Sequence, residues 1–268
     1  VLTATDLDVG VQCRFPLAQP VEKGALTLPA RKLTTIIREL PEEVVTLEAK
    51  KNQTASLTCA GSSFRIPGLP AEDFPTFPTA PQGEEVRLPG VVLRELITKT
   101  AYAMSMEETR FVLNGALLTT QKDQMTIVAT DGRRLAMASA PISGHGRQPL
   151  HVVIPSKTIR ELGRLLQRED LEEVVLAPLK DNQLTLRFGA VTMITRLIDG
   201  QFPQYEKVIP APAKHTVTCQ RGLLIDALRR VSLMTTATSQ AVVFELEPER
   251  LVVSKESPEV GSAREELP

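Results

Sequence analysis

The 268-residue sequence contains no tryptophan, only three cysteines and three histidines, and 4% aromatic residues in all. Its cysteines, Cys13, Cys59 and Cys219, are far apart and odd in number, which argues against a disulfide scaffold and favours the reducing cytoplasm. The histidines lie at no metal-ligand spacing from one another or from the cysteines. We therefore expect a cytoplasmic protein that binds no metal.

Long hydrophobic runs and catalytic motifs are also missing from the sequence. No apolar run approaches the roughly 18–20 residues that span a bilayer, and the N-terminus does not resemble a signal peptide. There is no glycine-rich phosphate loop, no G-x-S-x-G and no cysteine–histidine nucleophile arrangement. We expect no cofactor, no catalytic residue and no membrane partner. Because the chain begins at Val1 inside a strand-like run, we also expect it to be incomplete.

An internal repeat is the most prominent feature that the sequence does contain. Ala-Thr-Asp occurs at 4–6 and again at 129–131, an offset of 125 residues. Asp-Phe-Pro at 73–75 matches Gln-Phe-Pro at 201–203, an offset of 128. Because these matches keep their order and nearly their spacing, they indicate duplication of a whole domain.

A third copy begins near the end of the chain, where 223–234 and 251–263 resemble parts of the same pattern. The chain is thus predicted to contain the rear of one domain at 1–83, a complete domain at 84–208 and the front of a third at 209–268.

The complete copy has the hydrophobic pattern of an α+β domain. Its apolar residues recur with a period of 3.6 residues in some segments, which indicates helix, and of 2 residues in others, which indicates strand. The order of these segments predicts two β-α-β-β-β units, with two helices packed on antiparallel sheets. The Asp131-Gly132 pair predicts a tight primed turn between two of the strands. The predicted helices are 30–40, 90–102, 156–167 and 220–231, and the predicted strands are 110–120, 124–130, 133–142, 151–154, 173–178, 183–188 and 191–198.

Positive charge is concentrated in the predicted helices. Counted over 30–40, 90–104, 156–168 and 220–231, these segments carry a net charge of +8 within a chain whose total is −1, so the rest of the chain carries −9. Lys157, Arg160, Arg164 and Arg168 are spaced as one stripe of a helix, opposite its apolar face. For any single helix, the alternative interpretation is that these charges only keep an exposed face solvated. A basic surface with few aromatic residues suits phosphate contact without sequence choice, and not the stacking of single-stranded bases.

Five segments carry a resemblance to a known family: "PARK" at 29–32, "LPAEDFP" at 69–75, "RFVLNGALL" at 110–118, "VATDGRRLA" at 128–136 and "LIDGQFPQYEKVIP" at 197–210. They resemble the bacterial sliding clamps, the beta subunits of the replicative DNA polymerase III holoenzyme. The resemblance extends over nearly the whole chain and implies a fragment that lacks both ends. It implies a homodimeric ring with three similar domains in each subunit, whose helices line a hole for duplex DNA. Such a ring tethers the polymerase to DNA as a processivity factor and is cytoplasmic, at the nucleoid during replication.

The resemblance also implies two sets of functional residues. One set would form a pocket, beside the second Ala-Thr-Asp, for short motifs of the clamp loader, the replicative and translesion polymerases and other partners. The other set would face double-stranded DNA. The pocket residues are Leu113, Thr130, Gly132, Arg133, Arg134, Leu135, Pro203, Lys207 and Val208, and the DNA-facing residues are Arg31, Lys32, Arg110, Lys157, Arg160 and Arg164.

This chain departs from the family pattern at the implied pocket. Lys207 stands where an arginine is common, so the charge remains without bidentate hydrogen bonding. Ser239 stands where some members have an aromatic residue, and the C-terminal strand that completes the pocket is not in the sequence.

Two other functions remain open from the residues alone. An enzyme could use Asp6, Asp131 and Asp199 as acid–base or metal-binding carboxylates. Against it, the equivalent of Asp131 recurs as Asp6 and as Glu256 in the other copies, as expected of a structural turn. A repeat scaffold that binds only proteins is the second alternative.

Overall fold

The computed structural model describes residues 1–16, 22–50, 52–78, 85–107, 109–142, 149–167, 173–214 and 216–268. These residues form two compact units, Val1–Pro203 and Gln204–Pro268. Each unit consists of helices packed on antiparallel sheets, so the predicted α+β class is confirmed.

The helices begin and end within two residues of their predicted bounds. The first three each start directly after a proline, at Pro29, Pro89 and Pro155, whose ring fixes φ near the helical value. Arg168, the last residue of the predicted basic stripe, lies outside the described residues. The helices of the described ranges are α1 (Ala30–Glu39), α2 (Gly90–Thr100), α3 (Ser156–Leu165) and α4 (Arg221–Ser232).

The strands are short and are joined mainly by hairpins. Along the chain they are β1 (Leu2–Thr5), β2 (Val9–Cys13), β3 (Thr46–Ala49), β4 (Thr54–Cys59), β5 (Ser62–Pro67), β6 (Val86–Pro89), β7 (Gly115–Gln121), β8 (Gln124–Thr130), β9 (Leu135–Pro141), β10 (His151–Pro155), β11 (Glu173–Leu179), β12 (Gln183–Phe188), β13 (Val191–Arg196), β14 (Val243–Glu247), β15 (Arg250–Ser257) and β16 (Gly261–Leu267).

The sheets of the first unit show the repeat directly. The complete copy runs β6-α2-β7-β8-β9 and then β10-α3-β11-β12-β13, which confirms the two predicted β-α-β-β-β units. One sheet has the order β10-β7-β8-β9 and another β3-β4-β5. The largest has the order β1-β2-β13-β12-β11-β6, and in it Val9 to Cys13 of the first copy pair with Val191 to Thr195 of the second.

The main core of the first unit lies between its sheets and the paired helices α2 and α3. Both helices bury the apolar face that their periodicity predicts. They approach closely at Gly163, where a Cβ atom would lie 3.6 Å from Cγ2 of Ile97. The large apolar residues that these helices bury are Leu93, Leu96 and Ile97 of α2 and Ile159 and Leu162 of α3, followed by Leu166.

The strand predicted over 110–120 is wrong at its start. Phe111–Leu113 forms a short 3-10 helix, and β7 begins only at Gly115. The Leu113 carbonyl accepts a hydrogen bond from the Ser105 amide at 2.9 Å, so this stretch is anchored to the loop before it and not to a neighbouring strand.

The hairpin at Asp131-Gly132 exists, but its turn differs from the prediction. Thr130 of β8 pairs with Leu135 of β9, so the loop has four residues, 131–134, and not two. Hydrogen bonds from polar side chains within the loop stabilise this longer connection, because they supply partners that a two-residue turn would take from its own backbone.

The second unit packs α4 on the sheet β14-β15-β16. Ala227 and Val231 of α4 are fully buried against Leu251 and Val253 of β15. Glu256, the predicted third equivalent of the turn aspartate, lies inside β15 opposite Ser262. That equivalence is therefore wrong: β15 continues through the position at which β8 has already ended.

Two Gly→Ala substitutions separate tight packing from helix propensity in the main core. At Gly115 a Cβ would lie 2.6 Å from the Ile154 carbonyl oxygen, so we expect Gly115→Ala to destabilise by about 1–3 kcal/mol. Gly163→Ala meets only ordinary contact and should stabilise α3 by about 0.5–1 kcal/mol. Amide hydrogen exchange in β8 measures the change in stability of each variant. Equal protection in the two variants would contradict the close approach at Gly115.

Candidate functional site

The loop between β8 and β9 is held by two polar side chains. Oδ1 of Asp131 accepts hydrogen bonds from the backbone amides of Arg133 at 2.9 Å and Arg134 at 3.0 Å. The Thr130 hydroxyl donates to the Arg134 carbonyl at 2.7 Å and accepts from the Gly132 amide at 3.0 Å. Every amide of the loop from Gly132 to Arg134 thus has a side-chain partner, which fixes the loop without a ligand.

Gly132 is required by the conformation of this loop. Its φ is +86°, in the left-handed region where a Cβ atom costs free energy. The Arg110 guanidinium lies directly beside it, since Nη1 donates to the Asp131 carbonyl at 2.7 Å. A Cβ on Gly132 would approach that Nη1 to 2.8 Å, so a larger residue would both strain the loop and displace Arg110.

Arg134 is oriented by two neighbours. Its Nε donates to Oδ2 of Asp131 at 3.1 Å, and its guanidinium carbon lies 5.6 Å from the centre of the Tyr102 ring. A cation over an aromatic face is attracted by the ring quadrupole. The backbone amides of Arg133 and Arg134, and then the Arg134 side chain, hold the pKa of Asp131 below its usual range. The loop therefore presents cationic groups around one ionised carboxylate.

Other predicted pocket residues reach the same end of the sheet. Because β7 and β8 are antiparallel, the start of β7 lies where β8 ends, which brings half-buried Leu113 to the hairpin. Residues 198–203 run alongside. A Cβ on Gly200 would meet Val112, and one on Gly115 would meet Ile198. Phe202 is buried, and the Pro203 that follows it is exposed.

The remaining two pocket candidates belong to the second unit. Lys207 and Val208 lie in the short 3-10 helix Tyr205–Val208, and both are exposed. Of the nine predicted pocket residues, the first unit thus brings together Leu113, Thr130, Gly132, Arg133, Arg134 and Leu135, and ends with Pro203.

The predicted DNA-facing residues divide into two groups. Lys157, Arg160 and Arg164 are exposed along one side of α3, opposite its buried residues. Arg31 and Lys32 are likewise exposed, at the start of α1.

Arg110 stands apart from the helical cations. It precedes the 3-10 helix Phe111–Leu113, and its Nε lies 3.0 Å from a carboxylate oxygen of Glu107. Together with its bond to the Asp131 carbonyl, this places Arg110 at the hairpin and not on a helix face.

An ion pair that the sequence did not predict joins Lys157 to Asp6. Partial burial acts to raise the pKa of Asp6, but hydrogen bonds from Lys157 and from the Val9 and Asp8 amides outweigh it and lower that pKa. No local pattern connects residues so far apart along the chain. The cation–π contact of Tyr102 was missed for the same reason.

Neither a metal-binding cluster nor a membrane-spanning helix occurs among the described residues. No three histidine, cysteine, aspartate or glutamate side chains come together as metal ligands within the described ranges. None of the helices that the structure describes is long and apolar enough to cross a bilayer.

Comparison with known proteins identifies the family. A family model described as the DNA polymerase III beta subunit, N-terminal domain, matches residues 1–78, and its central-domain counterpart matches residues 87–204. The beta sliding clamp of Pseudomonas putida is 36% identical over 269 aligned residues, which cover 99% of this chain and 72% of that protein. The chain belongs to the beta sliding clamp family. The clamp of Chlamydia muridarum is 32% identical over 264 residues, covering 98% of this chain and 71% of its own length.

Solved clamp structures share the fold. The crystal structure of the DNA polymerase III subunit beta from Pseudomonas aeruginosa superposes with a TM-score of 0.89 at 33% identity, covering 99% of this chain and 72% of that one. A sliding clamp from Bartonella birtlesii, bound to griselimycin, gives a TM-score of 0.89 at 32% identity, with the same coverage of both chains.

Acid should release the β8–β9 loop. Because the folded pKa of Asp131 is lowered, its contribution to stability is complete above the unfolded value near about 4 and is lost as pH falls through the folded pKa. We expect an NMR pH titration to move the Arg133 and Arg134 amide resonances with a midpoint below about 4. Asp131→Asn, which has no titrating group there, should remove this transition. A midpoint at or above the unfolded value would contradict the assignment.

Proposed function

We propose that this clamp-family chain acts as a processivity factor, within a homodimeric ring that encircles duplex DNA and tethers the replicative polymerase. The observation that carries the proposal is that family membership extends over 99% of the chain, while its exposed helix faces carry cations. The division into domains at 1–83, 84–208 and 209–268 is part of the same proposal.

DNA contact in this proposal is electrostatic. Lys157 and Arg164 expose 53% and 73% of their side chains. Each can therefore reach a phosphate without any rearrangement of the surrounding protein. Their partners Asp6 and Glu161 are exposed carboxylates, and such surface pairs contribute little free energy. Phosphates can therefore replace them at small cost. Phosphate contacts position a duplex but do not read its sequence, as sliding requires.

Partner binding is proposed at the β8–β9 hairpin. The hairpin is stabilised by its own hydrogen bonds, so a partner peptide need not order it on binding. Leu113 and Leu135 offer half-buried apolar surface, while Arg133 and Arg134 offer donors to backbone carbonyls or acidic side chains. Clamp loader subunits, replicative and translesion polymerases and other proteins with clamp-binding motifs are the proposed partners.

Tethering needs no catalysis, so we extend the proposal to a non-enzymatic protein of the bacterial cytoplasm. Holding a polymerase on DNA raises its effective concentration at the primer end without new chemistry. Asp131, the carboxylate that an enzyme would require, is already committed to two backbone amides.

A scaffold that binds only proteins is distinguished from a clamp by DNA topology. A closed ring remains on circular DNA and slides off linear ends. Retention on nicked circles that is lost after linearisation supports the clamp. Equal retention on both forms, or none on either, contradicts it.

Charge reversal on the helices tests the DNA-facing residues. We expect the triple variant Arg31→Glu, Lys157→Glu and Arg164→Glu to shorten retention on circular DNA of any sequence. The salt dependence of binding should become shallower by about one unit per lost phosphate contact. The measurement is retention after loading, over a series of salt concentrations.

The matched control reverses three exposed lysines in hairpin loops, Lys50, Lys122 and Lys180. It changes net charge equally but leaves the helices intact, so its salt slope should match wild type. If both triple variants lose retention equally, general charge and not the helix face is responsible.

Two substitutions test the hairpin as the partner site. Gly132→Trp should abolish binding of a polymerase-derived peptide, because it fills the site and strains a left-handed residue. Leu135→Ala should weaken binding about tenfold, because apolar contact is lost. Fluorescence anisotropy measures affinity, and circular dichroism confirms folding. DNA retention should be unchanged in Leu135→Ala. Wild-type affinity in both folded variants would place the partner site elsewhere.

A further inference from the structure

The first Ala-Thr-Asp hairpin, between β1 and β2, repeats the hydrogen bonds of the second. Oδ1 of Asp6 accepts from the amides of Asp8 at 3.2 Å and Val9 at 3.0 Å. The Thr5 hydroxyl donates to the Val9 carbonyl at 3.1 Å and accepts from the Leu7 amide at 3.0 Å. These are the same bonds that Asp131 and Thr130 make, so the two loops have one geometry.

The two loops differ at the position that requires left-handed backbone. Gly132 has φ +86°, whereas its counterpart Leu7 has φ +80° and exposes 68% of its surface. A bulky residue in this region is strained, and such strain is concentrated at functional sites. The exposed Leu7 side chain lies at the edge of a cleft that it helps to line.

This cleft has a volume of about 150 Å³. Its apolar walls come from Leu7, from Ile194 of β13, and from Phe74 and Phe77. Phe74 belongs to Asp-Phe-Pro at 73–75, the counterpart of Gln-Phe-Pro at 201–203 beside the second hairpin. Polar side chains of Thr5, Thr76 and Gln183 also line this open cleft, whose volume is about that of a benzene-sized group. The cleft therefore fits one leucine or phenylalanine side chain.

The polar groups at the cleft suit a peptide backbone. Asp8 offers carboxylate oxygens as acceptors, and Arg196, at the end of β13, offers guanidinium donors. Within the described residues neither side chain has an ion-pair partner. An extended peptide has both N–H and C=O groups to match them. The second hairpin instead carries Arg133 and Arg134 at the positions of Asp8 and Val9, so its charge favours acidic peptides.

We propose that the cleft beside the first hairpin is a second peptide site, which binds one leucine or phenylalanine of an extended, uncharged segment in a partner protein. Asp8 and Arg196 pair with the backbone of that segment, and the apolar side chain enters between Phe77 and Ile194. The proposal rests on the partner-binding function proposed above for the second hairpin. It adds a separate site with a different charge preference, so that one clamp chain can hold two kinds of segment.

Methyl NMR on the full 268-residue chain tests the proposal, with Ile, Leu and Val methyl groups labelled. The probes are the acetylated, amidated tetrapeptides Gly-Gln-Phe-Gly and Gly-Glu-Phe-Gly, with Gly-Gln-Ser-Gly as the control that lacks the aromatic ring. The neutral phenylalanine peptide should shift the Ile194 and Leu7 methyl signals, and the serine control should not. The acidic peptide should bind this cleft no better than the neutral one.

Matched variants separate the two sites. Leu7→Trp fills the first cleft and should remove the Ile194 shift while leaving any Leu135 shift. Gly132→Trp should do the reverse. Arg196→Ala, at an exposed side chain, should weaken the first site about fivefold by loss of one hydrogen bond.

The outcomes are distinct for the two proposals. Ile194 and Leu7 signals that do not move, or an Ile194 shift that persists in Leu7→Trp, would overturn the second site. If Ile194 shifts while Leu135 responds to no peptide, the second site stands and the partner role of the β8–β9 hairpin fails.

Discussion

The first unit depends on the pairing of β2 with β13, which joins two copies of one repeat into a single sheet. Val9 to Cys13 supply one edge and Val191 to Thr195 the other. Each strand alone would present unpaired amides and carbonyls, which attract other chains. Pairing the edge of one copy with the edge of the next removes that hazard and fixes the angle between copies by backbone geometry. The repeat of the domain and the pairing of its exposed strand edges are thus a single constraint on this fold.

The two equivalent hairpins show how a duplicated element acquires separate chemistry. The threonine and aspartate that hold each loop are the same, so loop geometry is constant. The residues that geometry leaves free differ: Leu7 and Asp8 in one loop, Gly132 and Arg133 in the other. A framework that is stabilised by its own side chains can therefore change its exposed groups without refolding. In the first loop Asp6 also forms an ion pair with Lys157, which lies on the cationic side of α3.

Much of this fold is predictable because its determinants are local. Helix bounds followed from apolar spacing, and the β-α-β-β-β order from alternating periodicity. The predicted start of β7 was wrong because the Leu113 carbonyl accepts a hydrogen bond from the Ser105 amide. The alternation of apolar and polar residues does not reveal such a contact with a preceding loop. Glu256 was misplaced because sequence similarity does not show where a strand ends. Neither the Asp6–Lys157 pair nor the ring of Tyr102 beneath Arg134 has a local signal, since tertiary packing alone brings them together.

The block formed by α1, β3, β4 and β5 has a small core of its own. Its buried residues are Ile36, Ala55, Leu57 and Ile66, while β3 is exposed throughout. Because this core is small, we expect local opening of the block to cost less free energy than opening of the main core. If the segment that carries Arg31 and Lys32 opens while the large sheet remains intact, the strength of a cationic contact there depends on local order as well as on charge.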